Sequence, residues 1–235
     1  CIRDRTSAGG WDVFLTKYSS DGTKVWTKLL GSTSPDYSTG VSTASDGSVY
    51  ITGFTYGDLD GKTNAGRYDA YLTKYSSDGT KLWTKLTGTT NSEVGYGVAT
   101  SSDGSVYTTG YTLGDFNGET NAGSSDVFVT KYSSDGTKVW TKLLGSAVSD
   151  YGYGVATSSD GSVYTTGYTL GDFNGETNAG SSDVFVTKYS SDGTKVWTKL
   201  LGNTETEYGE AVATSSDGSV SVSYTHLRAH ETLRY

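Results

Sequence analysis

Apolar and polar residues alternate with a period of two through short runs, and glycine-rich polar breaks separate the runs. Between residues 97 and 144 four such runs follow one another: GVATS (97–101), SVYTTGY (105–111), DVFVTKY (126–132) and TKVWTKLL (137–144). Each is rich in Val, Thr, Tyr, Phe or Trp, which fit a pleated, half-buried surface, so each is predicted to be a β-strand. The first two are joined around Asp103-Gly104 and the last two around Asp135-Gly136. Asp-Gly supplies the positive φ angles of a tight hairpin. Lys131, Lys138 and Lys142 alternate with apolar neighbours, as expected near the wet outer edge of a sheet. No run has the spacing of an amphipathic helix, so the chain is predicted to be all-β.

The pattern recurs every 57 residues. Asp12, Asp69, Asp126 and Asp183 keep that step, as do Trp26, Trp83, Trp140 and Trp197, and Gly31, Gly88, Gly145 and Gly202. Residues 95–145 and 152–202 are identical. Four antiparallel strands in a repeat of this length predict a β-propeller blade, whereas the coils of a β-solenoid are shorter and lack two Asp-Gly hairpins each. The expected organisation is an outer half-blade (11–31), three whole blades (40–88, 97–145 and 154–202) and an inner half-blade (211–222). The two halves either combine to close a four-bladed ring or, as preferred here, end an open arc of a larger propeller.

Three passages carry a resemblance to a known family: DAYLTKYSSDGTKLWTKLTG (69–88), YGVATSSDGSVYTTGYT (96–112) and the GDLDGKTNAG-type loop. Over about residues 7–222 the chain resembles the SBBP repeats of bacterial seven-bladed β-propellers. The inner hairpin is also similar to that of NHL-type blades, and SDGTKVWTK to the docking-tryptophan segment of quinoprotein-type blades. The resemblance implies that 97–101 is innermost and 137–144 outermost. It also implies a bacterial protein located outside the cell or at its surface.

Composition changes sharply at both ends. Both histidines, the only cysteine and four of the five arginines lie in the first few or the last dozen or so residues. CIRDR and SYTHLRAHET resemble translated sequencing-adapter DNA at the ends of metagenomic reading frames. Residues 1–6 and 223–235 are therefore read as non-native, and residues 7–222 as an internal fragment of a longer protein.

Alternation of tight turns and long connections puts all tight turns on one face and all long loops on the other. The long loops are LGDFNGETNAGSSD (113–126, repeated at 170–183, with a variant at 56–69) and GSAVSDYGYG (145–154). Asp115, Glu119, Asp150, Asp172 and Glu176 make that face acidic, in keeping with a net charge of −8. Without clustered basic residues it does not suit nucleic acid or an anionic membrane. No apolar run reaches the ~20 residues of a spanning helix, so no membrane insertion is expected. A divalent cation, a glycan or a protein remain as partners of the loop face. Oligomeric state is not legible.

In the long loops, Asp115, Asn117 and Asn121 recur as Asp172, Asn174 and Asn178 and as Asp58, Asp60 and Asn64. These nine side chains are the candidate calcium ligands, with Asp126 returning a further oxygen, since calcium takes six to eight oxygens. The spacing departs from an EF-hand, and Lys62 replaces Glu119 and Glu176, so that position is not a required ligand. The same residues also suit a turn-rich structural loop. The repeated tryptophans are read as blade-to-blade packing, Tyr50, Tyr107 and Tyr164 as core, and the Asp-Gly pairs at 21–22, 78–79, 135–136 and 192–193 as turn chemistry.

No catalytic residue is nominated. The repeats lack His and Cys, which removes histidine-dependent triads and zinc sites, and near-identical copies single out no blade. The expected function is a non-catalytic binding or structural scaffold within a larger secreted or cell-surface bacterial protein. The alternative is a fragment of a glycan hydrolase or lyase whose catalytic carboxylates lie in missing blades.

Overall fold

The computed structural model describes residues 8–227. They form sixteen strands and no helix. The outer half-blade comprises β1 (Val13–Tyr18) and β2 (Lys24–Leu30). The first whole blade comprises β3 (Asp36–Thr43), β4 (Val49–Thr55), β5 (Asp69–Tyr75) and β6 (Lys81–Thr87). The second comprises β7 (Glu93–Thr100), β8 (Val106–Thr112), β9 (Asp126–Tyr132) and β10 (Lys138–Leu144). The third comprises β11 (Asp150–Thr157), β12 (Val163–Thr169), β13 (Asp183–Tyr189) and β14 (Lys195–Leu201). The inner half-blade is β15 (Thr206–Thr214) with β16 (Val220–Leu227). Each sheet is an antiparallel meander in sequence order, and the two half-blades remain separate two-stranded sheets. The arc is open, as preferred from sequence.

The inner strands begin earlier than their sequence suggests. β7 starts at Glu93, four residues before Gly97, and Asp150 opens β11 within the stretch expected to be loop. The reason is a β-bulge: the register with β8 slips between Gly95 and Gly97, leaving Tyr96 unpaired, and Tyr153 occupies the same place in β11. Glycines flanking a bulge weaken the alternation by which a strand is recognised. Residues 223–227, assigned to the non-native tail, continue β16, while residues 1–6 and 228–235 lie outside the described residues.

Blades are joined at three levels. Along the inner strands the Thr100 hydroxyl donates to Thr43 O (2.9 Å), Thr157 to Thr100 O (2.9 Å) and Thr214 to Thr157 O (2.7 Å). Midway, Val127, Val129 and Leu144 of the second blade pack with Val163, Phe173 and Phe185 of the third. At the outer edge, Trp140 covers the tight turn of the next blade, its Nε1 donating to Ser191 O at 3.2 Å. Trp26 does the same to Ser77 O. A β-carbon on Gly79, Gly136 or Gly193 would come within 2.9–3.0 Å of the indole it faces, so these turns need glycine for close approach as well as for positive φ. The tryptophans are thus packing residues, and Tyr50, Tyr107 and Tyr164 are core.

Candidate functional site

Both long connections of every blade reach the same face. Ser125, ahead of β9, forms a parallel bridge with Ser149, ahead of β11, and Asp150 N donates to Ser125 O at 2.8 Å. Tyr68 with Ser92, and Ser182 with Thr206, repeat the bridge at the neighbouring junctions.

Within the loop, the Phe116 side chain plugs the core while its backbone exchanges two hydrogen bonds with Glu119 (2.9 and 3.0 Å). The two residues between them, Asn117 (φ 56°) and Gly118 (φ 91°), both have positive φ, which is the two-residue hairpin geometry that Asn-Gly favours. Asp60-Gly61 and Asn174-Gly175 adopt the same turn. The candidate ligands divide accordingly. Asp115 Oδ1 accepts Asn121 N (2.9 Å), Asn121 Oδ1 accepts Gly123 N (2.9 Å), and Asn121 Nδ2 donates to Thr112 O (3.3 Å). Asp58 with Asn64, and Asp172 with Asn178, make the same closure.

The middle candidate is directed elsewhere. Asn117 Oδ1 accepts Lys138 Nζ at 2.7 Å, Asn174 Oδ1 accepts Lys195 Nζ at 2.6 Å, and Asp60 is bonded to Lys81 and Thr84. The structure therefore brings Asp115 and Asn121 together but sends Asn117 to an ammonium group on the outermost strand. Glu119 and Glu176 pair with Lys142 (3.3 Å) and Lys199 (2.8 Å), so much of the loop's acidity is offset within each blade. Lys62 occupies that position in the first blade, where Lys85 instead stands over the Trp83 ring.

Seven further carboxylates lie at this face, most of them fully buried. Asp36, Asp69, Glu93, Asp126, Asp150, Asp183 and Glu207 sit at the starts of inner or third strands. Burial pushes the Asp150 carboxyl up to about 6, against hydrogen bonds from the Thr169 and Ser146 side, and the neighbouring Asp126 charge raises it further. Asp150 is thus a strand-opening core residue instead of an exposed acid of the loop.

The feature that sequence reasoning missed is aromatic. Half-buried rings line the loop face near the axis: Tyr37 stacks on Phe54 (4.9 Å), Phe54 meets Tyr68 (5.7 Å), and Tyr68 lies beside Tyr111. The row continues from Tyr111 to Tyr151 (5.0 Å), Tyr168 (5.0 Å) and Tyr208 (4.6 Å). The bulge residues Tyr96 and Tyr153 lie 4.6 Å apart beneath it. Burial pushes the Tyr168 phenol up to about 12, leaving it a neutral hydroxyl at physiological pH. Tyr151, Tyr168, Tyr208, Ser181, Ser182 and Thr206, with Leu170, line a hollow of about 180 Å³ that contains no charged side chain. The Tyr-Gly-Tyr-Gly at 151–154 supplies only two of these rings, Tyr151 and the bulge residue Tyr153.

The Beta-propeller repeat profile of the SBBP family matches residues 82–117 and 139–174. The two matches are offset by 57 residues, and each runs from the outermost strand of one blade through the inner hairpin of the next into its long loop. These stretches are SBBP repeats. The chain is 29% identical over 234 residues to the Regulatory protein FlaEY of Caulobacter vibrioides, spanning 86% of this chain but 24% of that protein. It is 24% identical over 202 residues to the Uncharacterized WD repeat-containing protein L264 of Acanthamoeba polyphaga mimivirus, spanning 71% of this chain and 14% of that one. The chain thus corresponds to a minor part of the length of either relative. Among solved structures, a protein of unknown function from Bacteroides caccae superimposes with a TM-score of 0.51 at 12% identity, covering 97% of this chain and 69% of the other. That likeness concerns the fold alone.

Proposed function

We propose that the SBBP repeats form a non-catalytic binding module within a larger secreted or cell-surface protein, and that the loop face receives a neutral glycan. The observation that carries this reading is the continuous row of half-buried rings from Tyr111 through Tyr151 and Tyr168 to Tyr208, beside a charge-free hollow edged by Ser181, Ser182 and Thr206. Tyrosine offers a flat apolar ring for the C–H face of a sugar and a hydroxyl for its polar edge. A few placed polar groups within an otherwise aromatic lining suit a small neutral ligand. The hollow beside Tyr151, Tyr168 and Tyr208 has no cationic side chain for an anionic polymer, and the lysines that flank the second and third loops are engaged by Asn117, Glu119, Asn174 and Glu176. The cations Lys62 and Arg67 belong to the first loop, at the other end of the row.

The test is a glycan-array and calorimetric screen of the whole chain against neutral polysaccharides, with Tyr151→Ala and Tyr168→Ala beside the parent. Each variant is expected to weaken binding about tenfold or more, as removal of a central aromatic anchor does. Binding insensitive to both variants, or none to any neutral glycan, would overturn the reading. Turnover of a bound glycan would instead place the module in an enzyme.

A further inference from the structure

We propose that Asn117 and Asn174 are modification sites, at which the chain deamidates itself to aspartate through attack by the main-chain nitrogen of the following glycine. Each Asn-Gly pair forms a two-residue turn, with Asn at φ 56° and 54° and Gly at 91° and 92°. Gly118 N and Gly175 N are engaged by no acceptor among the described residues. Both glycines are exposed, and a β-carbon on either would meet nothing within 4 Å. The nucleophile is therefore unhindered, and water reaches the same atoms. Lys138 Nζ and Lys195 Nζ, at 2.7 and 2.6 Å from the amide oxygens, oppose the negative charge that gathers there as Cγ is attacked.

Gly118 N bonds to Asn117 Cγ, the Cγ–Nδ2 bond breaks, and ammonia leaves with the amide proton of the glycine. Water then adds to Cγ of the five-membered imide, the new Cγ–N bond reopens, and a proton returns to Gly118 N. One water is taken up and one ammonia released, with no change of oxidation state. Each event replaces a neutral amide by a carboxylate.

The first blade shows that the product fits. There the same turn carries Asp60 at φ 51°, whose Oδ1 is bonded to Lys81 and whose Oδ2 accepts the Thr84 hydroxyl. In the second blade Asn117 Nδ2 donates to Thr141, the counterpart of Thr84, at 3.2 Å, and in the third Asn174 Nδ2 is buried with no partner. Thr198 takes that place in the third blade, paired with Thr187 at 2.9 Å as Thr84 is with Thr73 at 3.0 Å. A carboxylate at 174 removes the orphaned donor and offers Thr198 the acceptor that Asp60 offers Thr84. The other asparagines of these loops are locked. Ala122 N and Ala179 N, which follow Asn121 and Asn178, donate to Asp126 Oδ2 (2.7 Å) and Asp183 Oδ2 (2.8 Å).

Tryptic mapping by mass spectrometry, over a time course of the whole folded chain at neutral pH, tests the proposal. Peptides 86–131 and 143–188 differ in sequence, so the two sites are read separately. A gain of about 1 Da per event is expected at Asn117 and Asn174, with aspartate among the products in fragment spectra that resolve it from isoaspartate. Conversion should run at least about tenfold faster than at Asn121 and Asn178, which lack a following glycine and whose following amides must first leave a carboxylate. The double variant Asn117→Asp, Asn174→Asp, which is the product made in advance, should melt no lower than the parent. No conversion, or conversion no faster than at Asn121 and Asn178, would overturn the proposal. Isoaspartate as the sole product, or a lower Tm of the double variant, would overturn it as well.

Discussion

Asn117 illustrates how one residue serves two demands that resemble a third. Its φ of 56° lies in the left-handed region, where a β-branched side chain is strained and Asn, Asp and Gly are tolerated. Its amide oxygen then reaches back 2.7 Å to Lys138 on the outermost strand. Both demands select oxygen-bearing side chains beside glycine, and that composition also suits a calcium loop. Asn117→Val should destabilise the chain by about 1–2 kcal/mol, the cost of forcing a β-carbon-branched residue into that region. Asn117→Gly should cost less, about 1 kcal/mol or below, since it keeps the backbone and loses the bonds to Lys138 and Thr141. Midpoints of urea unfolding for the two variants check the order, and equal effects would mean that the Lys138 contact dominates.

At the scale of elements, the outermost strand works across blades through a single tryptophan. Trp140 leans on Tyr107 within its blade (5.8 Å) and on Tyr189 of the next (6.1 Å), and its Nε1 bonds the next turn at Ser191 O. Trp197 has Tyr164 (5.9 Å) within its blade, but among the described residues no outer hairpin follows to offer the second ring or the carbonyl. Trp140→Ala should therefore cost about 3 kcal/mol, and Trp197→Ala at least ~1 kcal/mol less, the difference corresponding to one hydrogen bond and one ring contact. Paired unfolding curves measure this directly. The role of these tryptophans was legible because one large aromatic per 57 residues on an alternating strand has few other uses. The starts of β7 and β11 were not, because a bulge between glycines interrupts the period of two there. The tyrosine row was hidden for a related reason. It is assembled from inner strands, second strands and loop residues of successive blades, so no single stretch displays it. Asp150 was misplaced as an exposed acid because its position depends on a strand start that the bulge conceals.

For the whole molecule, each blade touches only its neighbours, so stability is expected to be distributed as in a one-dimensional array. The second blade is covered on both sides, by β3–β6 and by β11–β14, whereas β1–β2 and β15–β16 are half-blades whose outward strand edges are unpaired among the described residues. Exposure follows the same gradient: Phe14 on β1 is 62% exposed, while its counterparts Phe128 and Phe185 are buried. Backbone groups at such edges open by local fraying, while those in the middle of an array open only when neighbouring interfaces also break. Native-state hydrogen exchange should accordingly rank the amides of β8 and β9 as the slowest, those of β4, β5, β12 and β13 next, and those of β1 and β16 as the fastest. Uniform exchange rates from β1 to β16 would mean that the arc opens as one cooperative unit and that the nearest-neighbour description fails.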